Sequence, residues 1–151
     1  MRYSEAELGR VFIIRLEQGE VVHEVLERFA AEKNVRSAAV LMVGGAQRGS
    51  RLVVGPEDGD ALPVVPLRHV LSKVHEMAAV GTLFPDESGR PSLHVHAALG
   101  REGRATVGCI RAGVVVWLIL EVIMIEIAGD RAKRLRDPVT GFDLLEPDPG
   151  Q

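Results

Sequence analysis

With 46% apolar and 26% charged residues, this 151-residue chain has the composition of a soluble globular domain able to bury one core, which excludes a disordered or collagen-like polymer. Its formal net charge of −3 argues against a protein whose whole surface is built to release counterions from nucleic acid. The single cysteine, Cys109, cannot form an internal disulfide, and the opening MRYSEAELGR lacks an apolar signal segment, so a cytoplasmic protein is expected.

Val11 and Ile13, within VFIIRLEQGE, predict a first strand that ends at a Gln18-Gly19 turn. The following segment EVVHEVLERFAAEKN places Val22, Val25, Leu26, Phe29 and Ala30 at spacings of three and four, the pattern of one apolar helical face that covers a sheet. His23 has no second histidine or cysteine a turn away and reads as a helix-surface residue. The stretch SAAVLMVGGAQRGSRLVV reads as strand, turn at Gly44-Gly45, strand. Without a Lys-Ser/Thr ending or a following helix, the glycine pair does not read as a phosphate cradle.

Pro56 to Pro66 is an acidic, proline-rich connection, and His69 to Phe84 reads as one strand carrying His75 and Glu76. PDESGRP is a strong turn signal, with SLHVHAALG as the returning strand of a hairpin. Its Gly89-Arg90-Pro91 tripeptide matches the centre of an AT-hook, but the preceding arginine is missing and a hairpin turn accounts for it. Thr106 to Ile110 gives a short strand, Arg111-Ala112-Gly113 a turn, and VVVWLILEVIMIEI a long strand expected to be covered on both faces. The apolar run from Val114 to Ile127 is broken by Glu121 and Glu126 and is too short for a membrane span. Arg48 and Arg51 lie close together, while Arg131, Lys133, Arg134 and Arg136 form a cluster read as a solvated face. FDLLEP forms a last short strand, and the tail DPGQ is expected to fray. Consecutive hairpins with one early helix predict a single α+β domain built on a mostly antiparallel sheet with a packed amphipathic helix.

His94 and His96 stand one residue apart, and on a strand that spacing puts both imidazoles on one face. Cys109 lies on the next strand of the meander, where antiparallel pairing can bring its sulfur to the same face. Two imidazoles and a thiolate suit zinc, although an HxH pair and a buried cysteine also occur in strands without metal. His75 is a further ligand candidate, but a hairpin register through Phe84 and Ser92 places it opposite Arg101, away from His94. Glu121, inside an apolar run, is either a carboxylate that supports a metal ligand or moves a proton, or an outward charge at a subunit edge. Glu76 is the second candidate for proton transfer.

The run PSLHVHAALGREGRATVGCIRAGVVVWLILEVIMIEI, flanked by HEMAAVGTLFPDESG and RLRDPVTGFDLLEP, resembles the plants-and-prokaryotes-conserved domain family over about Val11 to Leu145. The resemblance implies an antiparallel sheet with a packed helix and a homotrimer in prokaryotic members. It also implies a DNA-associated or regulatory binding role, since the domain accompanies AT-hooks in plants. Some members resemble metal proteins with ligands from His-x-His and a later Gly-Gly-His; His94 and His96 match the first pair, and Cys109 in Val107-Gly108-Cys109 stands where the later histidine is expected. The resemblance thus implies a trimeric binding module with weak DNA association and a zinc site; the alternative is a zinc-dependent, hydrolase-like enzyme acting on a small molecule.

Overall fold

The computed structural model describes residues 1–148, so part of the DPGQ tail lies outside the described residues. Among the described residues, ten strands and one α-helix follow one another. They are β1 (Glu7–Glu17), α1 (Val22–Glu32), β2 (Ser37–Ala46), β3 (Arg51–Pro56), β4 (Pro66–Val70), β5 (His75–Pro85), β6 (Pro91–Arg101), β7 (Arg104–Cys109), β8 (Val116–Ala128), β9 (Lys133–Arg136) and β10 (Asp143–Glu146). Eight strands form one sheet in the order β1-β8-β2-β5-β6-β7-β3-β4, and β9 with β10 forms a separate hairpin. Each pairing is antiparallel, so the expected α+β architecture is the observed one.

β1 and β2 both run antiparallel to β8, which lies between them. They are therefore mutually parallel, and α1 is the crossover of a split β-α-β unit. The crossover carries α1 onto one face of the sheet. There Val22, Leu26 and Ala30 are fully buried, with Val25 and Phe29 packed at the rim, as the apolar spacing requires. Phe29 meets Phe12 of β1 edge to face, with ring centroids 5.3 Å apart. The helix ends at Asn34, which takes a left-handed φ of 53°, and Val35 N–H bonds back to the Ala30 carbonyl at 2.8 Å. Sheet residues of alternating parity, including Leu16, Val40, Met42, Leu83, Val95, Val122 and Met124, complete the core from below.

Several local expectations are corrected. Gly44-Gly45 is not a turn: both residues lie within β2, and the chain reverses later, where Ser50 N–H bonds to the Gln47 carbonyl. The glycines serve a close approach instead. The register of β2 against β8 slips from Gly44↔Leu120 to Gly45↔Trp117, leaving Leu118 and Ile119 as a bulge, with Leu118 at a φ of 59°. A Cβ on Gly44 would stand 2.4 Å from the Ile119 carbonyl oxygen, and one on Gly45 2.5 Å from that of Trp117. The segment His69 to Phe84 is not one strand, because the chain turns through residues 71–74 between β4 and β5 and buries Leu71. β1 begins four residues earlier than the apolar signal, at Glu7.

β8 departs most from expectation. Its Leu120, Val122 and Met124 are fully buried, but the opposite face is open, and Ile13, Leu41, Val43 and Val80 of neighbouring strands are exposed there by 86%, 52%, 56% and 64%. β-branched enrichment marks a strand as central, yet it does not say that both faces are covered within one chain.

The helix-to-sheet contact is expected to dominate stability. Leu26→Ala should lower the unfolding free energy by about 2–5 kcal/mol, the range for a fully buried leucine that leaves a cavity; chemical denaturation monitored by circular dichroism measures it.

Candidate metal centre

The open face carries the residues with chemical potential. Antiparallel register places His96 between Val80 of β5 and Cys109 of β7, and His94 opposite Thr82 of β5. Residues directly opposite share a face. The Nε2 atoms of His94 and His96 are 3.2 Å apart, and the rings meet at 63° with centroids 5.1 Å apart. One ligand atom from each of His94, His96 and Cys109 lies within 4.8 Å of the others.

This spacing suits a tetrahedral ion. Zinc-nitrogen bonds of about 2.0–2.1 Å at tetrahedral angles separate two nitrogen donors by roughly 3.3 Å, close to the observed gap. The cysteine is held by a tight local backbone: a Cβ on Gly108 would come within 2.5 Å of the Val53 carbonyl oxygen, so glycine allows β7 to lie against β3. On β5, a Cβ on Gly81 would stand 2.3 Å from the His94 carbonyl oxygen, so a second glycine lets the histidine strand approach.

The remaining sequence candidates lie elsewhere. Phe84 pairs with Ser92 and Glu76 with Gly100, the register expected from the hairpin, which sets His75 beside Arg101. His75 Nδ1 lies 2.9 Å from the Lys73 carbonyl oxygen, outside the triad. Glu76 shares the open face but stands four residues along β5 from Val80, the neighbour of His96, a separation of about 13 Å. Glu121 is exposed on β8, three strand spacings or about 14 Å from β6. It occupies a shallow apolar trough with Ile13, Val43 and Ile123, and the nearby Arg15 is ion-paired to Glu17 at 2.7 Å instead.

Two arginines close the site, and composition did not reveal them. In the basic cluster read as solvated, Arg131, Lys133 and Arg136 are exposed, but Arg134 is only 3% exposed. Strand alternation in Lys133-Arg134-Leu135-Arg136 carried that signal, because alternate residues of a strand face opposite ways. Arg134 donates from Nη2 to Thr82 Oγ1 at 2.9 Å and from Nε to the Ser92 carbonyl at 3.5 Å. Arg111 donates to the next carbonyl, that of Leu93, at 3.2 Å.

These surroundings act on His94. Although its side chain reaches solvent, the groups packed around the ring remove enough water to favour the neutral form. With the Arg134 charge, coupling to His96 and the Arg111 charge adding to that effect, its pKa falls from 6.5 to about 4. His94 therefore keeps a free lone pair for a metal at neutral pH.

Sheet and crossover helix define a class of small α+β domain that solved structures share. The chain belongs to the plants and prokaryotes conserved domain family, whose model matches residues 3–128. Its fold is similar to that of a metal-containing protein from Archaeoglobus fulgidus, 22% identical, over 97% of this chain and 99% of that one, with a TM-score of 0.83. A plant- and prokaryote-conserved protein from Pyrococcus horikoshii is 22% identical over 98% and 99% of the two chains, with a TM-score of 0.80. A protein from Ralstonia eutropha JMP134, named as a candidate DNA-binding protein, is 22% identical over 90% of each chain, with a TM-score of 0.69. At these identities the likeness is one of fold. The bifunctional protein GlmU of a Synechococcus strain is 27% identical over 134 residues, and this chain spans about a fifth of that relative's length. No helix among the described residues is long and apolar enough to cross a membrane.

The His94 shift has a readable sign. The unfolded chain takes up a proton near pH 6.5 and the folded chain only near pH 4, so between these values the unfolded state binds more protons and stability falls on acidification. In the metal-free protein, an NMR titration of the His94 ring should give a midpoint near 4, and His94→Gln should flatten the stability profile between pH 6.5 and 4.

Proposed function

We propose that this chain is a self-associating binding module that holds a zinc ion through His94, His96 and Cys109. The convergence of three metal-competent donors within 4.8 Å carries the reading. Zinc takes imidazole and thiolate ligands, and three protein donors leave a fourth position for water or a ligand. The metal-containing Archaeoglobus relative supports the same assignment.

Self-association is supported by the open face. Ile13, Leu41, Val43 and Val80 form an apolar surface that a solitary soluble domain rarely leaves uncovered. His96 pairs directly with Val80, and Val80 with Leu41, so the metal triad borders that surface. A homotrimer, as the family resemblance implies, would cover it with copies of the same face.

DNA association is the second reading, supported by relatives named as candidate DNA-binding proteins. The net charge of −3 limits it to a local contact with strong salt dependence. A hydrolytic role would use the fourth zinc position for water, but Glu76 and Glu121 stand too far from the triad to exchange a proton with it directly.

Metal analysis together with solution mass tests the main reading. Wild type should carry close to one zinc per subunit and sediment as a trimer; His96→Ala should lose the zinc, and Leu41→Glu should dissociate the assembly. A metal-free, monomeric wild type after zinc reconstitution would remove the proposal. If His96→Ala also dissolves the trimer, the metal is a structural clasp between subunits.

For DNA, titration of a labelled duplex at rising salt should show weak binding that declines steeply. The absence of any salt-sensitive complex at low ionic strength excludes the second reading.

A further inference from the structure

A buried arginine normally finds a carboxylate, because an uncompensated charge out of water is costly. Arg134 does not. It is 3% exposed, yet no carboxylate lies within ion-pair distance of it among the described residues. Its bonded partners are neutral: Thr82 Oγ1 and the Ser92 carbonyl, with the Phe84 ring 5.9 Å away. Nη1 has no acceptor among the described residues, so part of the guanidinium fork is unused.

The neighbouring charges do not make up the deficit. Arg111 and Arg136 both reach toward Asp143, at 3.8 and 3.3 Å, so two guanidinium groups already share that carboxylate and Arg134 has none at ion-pair distance among the described residues. Other acidic groups nearby are engaged by backbone: Glu87 accepts the Arg136 N–H at 2.8 Å, and Glu27 accepts the Leu93 N–H at 2.8 Å. Arg134 and Arg111 bind the successive carbonyls of Ser92 and Leu93, immediately before His94. The positive excess is thus built against the metal triad.

We infer that Arg134 and Arg111 form an oxyanion subsite beside His94, and that its ligand is a small molecule bearing a terminal phosphate. The inference rests on the zinc reading, because the ion supplies further positive charge at the same place. A dianionic phosphate matches this excess better than a carboxylate, and its oxygens can accept from an arginine fork. The recessed position of Arg134 suits a terminal group rather than a phosphodiester held in a duplex.

The test uses two separate readouts on the full chain, zinc content and calorimetric titration with inorganic phosphate. Zinc-loaded wild type should bind phosphate, and Arg111→Gln, on a half-exposed side chain, should weaken that binding by about tenfold or more while zinc content stays unchanged. Arg134→Lys should also weaken it, with circular dichroism checking that this buried variant folds. Normal zinc content without phosphate binding, or with binding insensitive to Arg111→Gln, overturns the subsite and leaves the metal reading standing. A wild type that takes up no zinc overturns both. A short DNA duplex that displaces phosphate at equal phosphate concentration overturns the small-ligand assignment.

Discussion

One short helix has to serve a large sheet, and this mismatch governs the molecule. α1 has 11 residues and extends about 16 Å, whereas eight strands at about 4.8 Å spacing form a far wider surface. The split β-α-β crossover allows the helix only one face. Alternation along each strand then sends Leu120, Val122 and Met124 under the helix, and Glu121 and Ile123 to the other side. His94, His96, Cys109 and the uncovered apolar surface all occupy that second side, so the clustered donors and the open apolar face have a common origin in strand alternation.

Register carries the site from that face to atomic precision. His94 and His96 share a side through strand alternation alone, but their relation to Cys109 depends on how β6 and β7 pair, and a slip of one residue would turn the thiol to the core. Glycines secure the two approaches that matter. Gly81 lets β5 sit against the histidine strand, and Gly108 lets β7 sit against β3, each at a distance where a Cβ would collide with a backbone oxygen. The three donor side chains are thus carried by paired strands rather than by loops, an arrangement that fixes their spacing.

What could be read from the chain follows the range of the interactions. The helix face from Val22 to Ala30, the Phe84↔Ser92 hairpin and the common side of His94 and His96 are local periodicities, and they are legible. The Gly44-Gly45 pair reads as a turn in the sequence because its real requirement comes from the Ile119 and Trp117 carbonyls of a strand more than seventy residues away. A glycine that permits a positive φ and one that permits a close approach look alike in sequence. β8 reads as covered on both faces for a similar reason: β-branched residues mark a central strand, and nothing local in the sequence records that one face stays open in the folded chain.

Arg134 shows how a single alternation changes the chemistry of a basic cluster. Lys133 and Arg136 remain in water, where long charged side chains cost little, while Arg134 is turned inward beneath the β9–β10 hairpin and toward Thr82. Its placement is poorly explained as a stabilising device, because a neutral side chain could bond Thr82 and Ser92 without an uncompensated charge. It is explained if the charge faces something that is negative when bound. Beside His94, His96 and Cys109, a buried guanidinium aimed across the adjacent strand gives this face of the sheet a positive side that strand alternation put there.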